Sequence, residues 1–316
     1  MSPRNILEIT NRNGLRACFL PLGARWTAMH VPDRRGDQAD VLLGFATPEA
    51  YQQAEEAYHG AVVGRYCGRI PRGIIQDRDG QIELSRNEGG EHHLHGGKHG
   101  FHLKEWKLRP EYTAENRLGF LLLAANDEDG YPGTVDVLVT YTLTNDNQLV
   151  FEATAKATEK TPINITNHAF FNLSGRASDL GSHRLVVNGD GLVQDKEFLL
   201  TGEVLTYQQP HAVPLIGAVS SAFRLKKAGS KAGAALTLTH PESGRCLRVY
   251  TNQPAVQLYN GFFMTGRDVG KHGEPYRPNT GLAIEPQHLH YGAYQLLHPE
   301  ETYRHRTVYE FGFVAS

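Results

Sequence analysis

The feature that most constrains this chain is the spacing of its apolar residues, which return at every second position far more often than at every third or fourth. Val135-Asp-Val-Leu-Val-Thr-Tyr-Thr-Leu143 alternates around one break, Ala235-Leu-Thr-Leu-Thr239 alternates throughout, and Cys246-Leu-Arg-Val-Tyr250 is β-branched and aromatic. Successive side chains of a strand point to opposite faces, so this pattern predicts half-buried strands. Asn/Asp/Gly/Pro clusters such as Asp127-Glu-Asp-Gly-Tyr-Pro-Gly133, Thr144-Asn-Asp-Asn147 and His240-Pro-Glu-Ser-Gly244 fall between them, spaced as hairpin turns would be. The best helix signal is Thr47 to Ala57, with Thr47 as N-cap and Pro48 at the first helical position. Many strands, few helices and no linker predict one all-β domain over residues 1–316, a mostly antiparallel sandwich whose concave face or loops hold a ligand.

Composition narrows the partners. Lys+Arg number 32 against 34 Asp+Glu, a formal net charge of −2, so no long-range field collects nucleic acid or anionic lipid. The longest nearly apolar run, Leu118 to Ala125, is far short of the ~20 residues a membrane helix needs. The amino terminus shows no basic stretch followed by an apolar one, and Cys18, Cys67 and Cys246 are too scattered for a disulfide framework. These features predict a soluble cytoplasmic protein with no membrane or nucleic-acid partner.

Three segments carry candidate chemistry. Five of the 16 histidines crowd into Glu91–His102, but without the cysteine or carboxylate spacing of a zinc site, so the expectation is no metal. His93 and His95 are expected on one strand face, with Gly96-Gly97 turning the chain or letting its backbone approach a ligand. His168 lies in a strand-like run among Asn164, Asn167 and Asn172, amides suited to a hydroxyl-rich ligand. Glu285 ends the apolar run of Gly281-Leu-Ala-Ile-Glu-Pro-Gln287; a carboxylate there is paired or has a task, because burying it alone is costly.

These blocks form a recognisable series. Gly64-Arg-Tyr-Cys-Gly-Arg-Ile70, Leu94-His-Gly-Gly97, Trp106, Gly130-Tyr-Pro-Gly133, Thr161–His168 with Phe171-Asn-Leu173, Thr251-Asn-Gln-Pro254 with Gln257-Leu-Tyr259, and Glu285-Pro-Gln287 resemble, in order and over nearly the whole chain, the aldose 1-epimerase (galactose mutarotase-like) family. The resemblance implies a β-supersandwich with a sugar site on its concave face and no cofactor. By motif position it implies Glu285 as general base, His168 as general acid, Arg69 and His95 as substrate contacts, and Gln257 lining the same cleft.

The chain departs from the family pattern at several points. Gly68 stands where the family often has Asn, and Ser220-Ser-Ala-Phe223 aligns with a segment whose aspartate contacts a sugar hydroxyl. Asp190, Asp195 or Glu203 could supply that carboxylate instead. The loop after the glutamate reads His288-Leu-His-Tyr-Gly-Ala-Tyr-Gln295. The expected reaction exchanges α and β anomers of an aldose: a base takes the C1 hydroxyl proton, an acid protonates the ring oxygen, and the ring opens and closes. Arg69 would hold ring hydroxyls, Trp106 or Tyr259 would pack on the sugar, and the Glu285 carboxylate would favour a charged His168. The rivals are a non-catalytic sugar-binding or regulatory protein, an epimerase of a modified or phosphorylated sugar met by Arg65 and Arg69, and a glycosidase, for which Glu285 lacks an evident acidic partner.

Overall fold

The computed structural model describes residues 6–226, 233–289 and 293–314. Antiparallel sheets dominate it. The largest has nine strands, with Arg117–Ala124, Val135–Leu143, Gln148–Ala157, Tyr303–Phe313 and Arg245–Thr251 running side by side in that order. The alternation seen in the sequence is the physical pattern: Val135, Val137, Val139 and Tyr141 are fully buried while Asp136 is exposed and Leu138 half-buried. Each such side chain contributes about 1.5–3 kcal/mol by leaving water, which is why the register of these strands is strongly specified.

A second sheet of six strands holds Phe170–Phe171, Leu282–Gln287, Ala255–Tyr259, Ser220–Leu225, Gly189–Gln194 and Leu200–Leu205 in that order. A third sheet of four strands is built from the first 40 residues. One apolar core joins all three, with Phe19, Trp26 and Met29 from the small sheet, Val137, Phe151 and Phe311 from the large one, and Phe223, Val256, Leu258, Leu282 and Ile284 from the second.

The predicted helix is shorter than expected. It covers Pro48–Gln53, with Thr47 Oγ1 accepting from the Ala50 N–H at 3.3 Å and Pro48 in the first turn, and it stops at Ala54, whose ψ of 141° is extended. Among the described residues no helix is long and apolar enough to cross a membrane. Cys18, Cys67 and Cys246 are free and buried.

Candidate active site

The catalytic candidates gather because one face of the six-stranded sheet looks away from the core. Along Leu282–Gln287 all six residues are buried, but Leu282 and Ile284 enter the core while Glu285 and Gln287 take the other face. Gln257 lies directly opposite Glu285 on the neighbouring strand, so the two share that face; Tyr259, two residues along from Gln257, and its partner Ser220 on the next strand share it too. A cleft opens there, and Glu285, His168, Arg69, His95 and Gln257 all line it.

His168 sits between two short strands and is clamped by its backbone: its N–H donates to the Ala61 carbonyl at 2.8 Å and its carbonyl accepts from Gly60 at 3.0 Å. This places its Nε2 3.6 Å from Glu285 Oε1, with the two side chains 3% and 2% exposed. Neither His168 Nδ1 nor Glu285 Oε2 has a protein partner, an arrangement that buried polar atoms rarely tolerate without a task. Burial pushes the Glu285 carboxyl up to about 8, helped by the negative charge of Glu56 and opposed by Arg69. Burial likewise pulls His168 down to about 4. Both shifts run against the expectation that Glu285 keeps His168 charged: desolvation disfavours the charged form of each partner and so favours the proton on the carboxyl.

Arg69 pairs with Leu94 in a two-stranded ladder, and its guanidinium is engaged along one edge and over one ring. Nε and Nη2 donate to the two oxygens of Glu88, and Cζ stands 5.7 Å from the centre of the Phe198 ring. His95 has a left-handed backbone, φ +51°, and so leaves the strand face predicted for it; His93 bonds the Ser85 carbonyl and the Tyr131 hydroxyl, outside the cleft. The turn demands Gly96, because a Cβ there would lie 1.8 Å from the Gly64 carbonyl oxygen. His95 Nδ1 accepts from the Gly68 N–H at 3.3 Å, so its proton resides on Nε2, a donor suited to a hydroxyl or ring oxygen.

His95, His168 and Glu285 each bring one ligand-type atom within 4.8 Å of the others, so a metal has to be considered. The His95 tautomer fits poorly. Its Nδ1 lone pair is spoken for, and its Nε2 bears hydrogen, whereas a metal needs a bare nitrogen whose ring partner donates outward.

A family model described as aldose 1-epimerase matches residues 5–310. The chain belongs to the aldose 1-epimerase family. It is 36% identical to human galactose mutarotase over 318 residues, covering 94% of this chain and 91% of that protein. It is 32% identical to an aldose 1-epimerase of Haemophilus influenzae, with coverages of 91% and 87%. The solved structure of an aldose epimerase homologue from C. elegans superposes with a TM-score of 0.90 at 29% identity, covering 98% of this chain and 99% of that one.

Trp106 is fully buried, packed on Phe101, and donates its indole N–H to the Phe101 carbonyl; Tyr259 alone of the two aromatic candidates lines the cleft. Asn164, Asn167 and Asn172 spend their amides on backbone carbonyls, where they brace the strands around His168 rather than meet a ligand. Arg65 is buried and donates to the carbonyls of Ala125, Pro132 and Gly133, so it is not available to an anion.

Ser220 does line the cleft and accepts from Gln257 Nε2 at 3.0 Å. The three carboxylates considered as substitutes do not line it. Asp190 pairs with Arg224 and Lys226, Asp195 caps its own turn through the Glu197 and Leu199 N–H groups, and Glu203 is exposed. Of the loop after Glu285, His288 and Leu289 line the cleft, and residues 290–292 lie outside the described residues. The acidic residues that do line the cleft beside Glu285 are Glu56 and Glu88, which sequence reasoning passed over. Glu56 was hidden inside the predicted helix, and Glu88 had no signal apart from its partner.

Proposed function

We propose that this protein is an aldose 1-epimerase that interconverts the α and β anomers of a free sugar, with Glu285 as general base and His168 as general acid. The observation that carries the reading is the buried pair itself: a carboxyl and an imidazole 3.6 Å apart, each with an unpartnered atom, at the floor of one open cleft. Anomer exchange needs two proton transfers at neighbouring atoms and nothing else. The C1 hydroxyl gives its proton to Glu285 while His168 protonates the ring oxygen, the C1–ring-oxygen bond breaks, and an open-chain aldehyde forms. Rotation about C1–C2 presents the other face, and closure reverses both transfers.

The proton inventory fits this cycle. The opening step starts from ionised Glu285 and charged His168 and ends with both neutral, so one proton on the pair serves every stage. In the resting cleft desolvation favours that proton on Glu285. A sugar that donates its C1 hydroxyl to the carboxylate and offers its ring oxygen to the imidazolium stabilises the charged arrangement of the same pair. Because the pair must hold one proton, kcat/KM should be broad between about 4 and about 8, falling above as Glu285 loses its proton and below as His168 gains one.

Arg69, oriented by Glu88, and His95 Nε2–H present donors to ring hydroxyls, and Gln257 holds the cleft face beside Glu285. A phosphorylated substrate gains little support, since Arg65 is committed elsewhere and Arg69 is already neutralised by Glu88. Anomer exchange followed by polarimetry or NMR, with wild-type protein and Glu285→Gln, tests the assignment.

A further inference from the structure

Glu56 is a carboxylate in a sugar cleft with almost nothing to do. The helix ends at Ala54, and the next two backbone N–H groups, of Glu55 and Glu56, both donate to the Asp268 carboxylate at 3.0 Å. That clasp ties the segment to the loop between Ala255–Tyr259 and Leu282–Gln287, the two strands that carry Gln257 and Glu285. The side chains then diverge. Glu55 faces outward, bonded to Thr265 and Arg267, while Glu56 lines the cleft.

Glu56 Oε1 accepts from the Tyr58 N–H at 3.3 Å, and among the described residues no lysine, arginine or histidine forms an ion pair with it. The groups facing it are Tyr58 on its own segment, Tyr259 and Glu285 on the two strands, Asp268 on the loop, and Arg25 from the small sheet. Only Arg25 among them is cationic, and its guanidinium is taken up by the carbonyls of Ala57, His59 and His102. In the same cleft, Ser220 stands where the family resemblance expects a hydroxyl-binding aspartate, and the carboxylates at Asp190, Asp195 and Glu203 lie elsewhere.

We propose that Glu56 is the specificity-determining residue of this cleft, a carboxylate that accepts a ring hydroxyl of the bound aldose. The proposal rests on the aldose 1-epimerase reading and deepens it: the substrate carries a free hydroxyl on the side of the ring facing Tyr58 and Tyr259. A hydroxyl donor adds a second partner to the one Tyr58 N–H that Glu56 has, and a bound sugar lacking that hydroxyl covers the carboxylate without supplying one. The same carboxylate bears on the reaction through charge, since its proximity makes Glu285 hold its proton more tightly.

Glu56→Gln keeps the shape and leaves the backbone clasp on Asp268 intact. Anomer exchange is measured by NMR for wild type, Glu56→Gln and Glu55→Gln on an accepted aldose and its monodeoxy analogues, across a pH series. Wild type and Glu55→Gln should discriminate roughly ten- to a hundredfold against one deoxy position. Glu56→Gln should lose that discrimination at that position alone, and its alkaline limb should move to lower pH because Glu285 no longer has a negative neighbour. A uniform fall across all sugars, or unchanged discrimination with an unmoved limb, overturns the proposal while leaving the epimerase reading intact. Wild-type protein that exchanges no aldose overturns both.

Discussion

The outer face of the nine-stranded sheet and the cleft face of the six-stranded sheet obey the same period of two and put it to opposite uses. Along Val135–Leu143 the residues turned from the core, such as Asp136 and Leu138, meet water, so they can be polar or apolar at little cost. Along Leu282–Gln287 the residues turned from the core are just as buried as those turned toward it, yet they include Glu285 and Gln287. A strand that is buried on both faces but polar on one has a second interior, and the groups there are held away from water without being fully satisfied. The buried floor of this cleft concentrates proton-exchanging groups, whereas the core beneath it supplies stability.

That contrast can be broken on a single strand, using adjacent residues on opposite faces. Glu285→Gln should reduce catalysed anomer exchange by roughly 10²–10⁴-fold with the fold intact, because an amide cannot accept the C1 proton. It should also raise thermal stability above neutral pH. Burial holds the folded carboxyl near 8, so below the unfolded value of 4.5 both states are protonated and nothing is lost. As pH rises toward 8 the unfolded chain gives up a proton that the folded one keeps, and stability falls, a cost that glutamine removes. A melting series of the two proteins against pH reads the difference directly.

Ile284→Ala, one residue away on the core face, should do the reverse. It should destabilise by about 2–5 kcal/mol in denaturant unfolding while leaving exchange by the folded fraction near wild type. If both variants behaved alike, the division of labour between the faces would be wrong.

The next effect is smaller. Ser220→Asp restores a carboxylate on the cleft face and should shift preference toward galactose or glucose by roughly ten- to a hundredfold in relative kcat/KM. Full efficiency of the native protein on galactose, with Ser220→Asp neutral, would show that nothing is missing at that position. Smallest of all should be the effect of EDTA, which is expected to leave exchange unchanged; loss of activity restored by zinc would assign His95, His168 and Glu285 to a metal instead.

Much of this contrast was legible in the sequence, and the gaps have physical causes. The strands of the large sheet were readable because one of their faces is wet, which makes the alternation visible. Glu285 stood out because a carboxylate within an apolar run violates the pattern, and His168, Arg69, His95 and Gln257 came through motif order; all five line one cleft. What stayed hidden was set by partners distant in sequence. Glu56 owes its place to Asp268, more than two hundred residues away, and local propensity absorbed it into a helix that tertiary clasping cuts short at Gln53. Trp106 and the three asparagines were misread for the complementary reason: residue type suggested a ligand, while buried backbone carbonyls claimed their donors first.

The central claim is that the buried Glu285–His168 pair shuttles one proton to open and close a sugar ring, and exchange NMR on freshly dissolved aldoses tests it most directly. With a panel of neutral, deoxy and phosphorylated sugars and no added metal, the account predicts faster α/β exchange of at least one neutral aldose, no other product, and a rate that falls above about pH 8 as the pair loses its proton. Exchange of every aldose at the uncatalysed rate, or catalysis that Glu285→Gln retains in full, would contradict it.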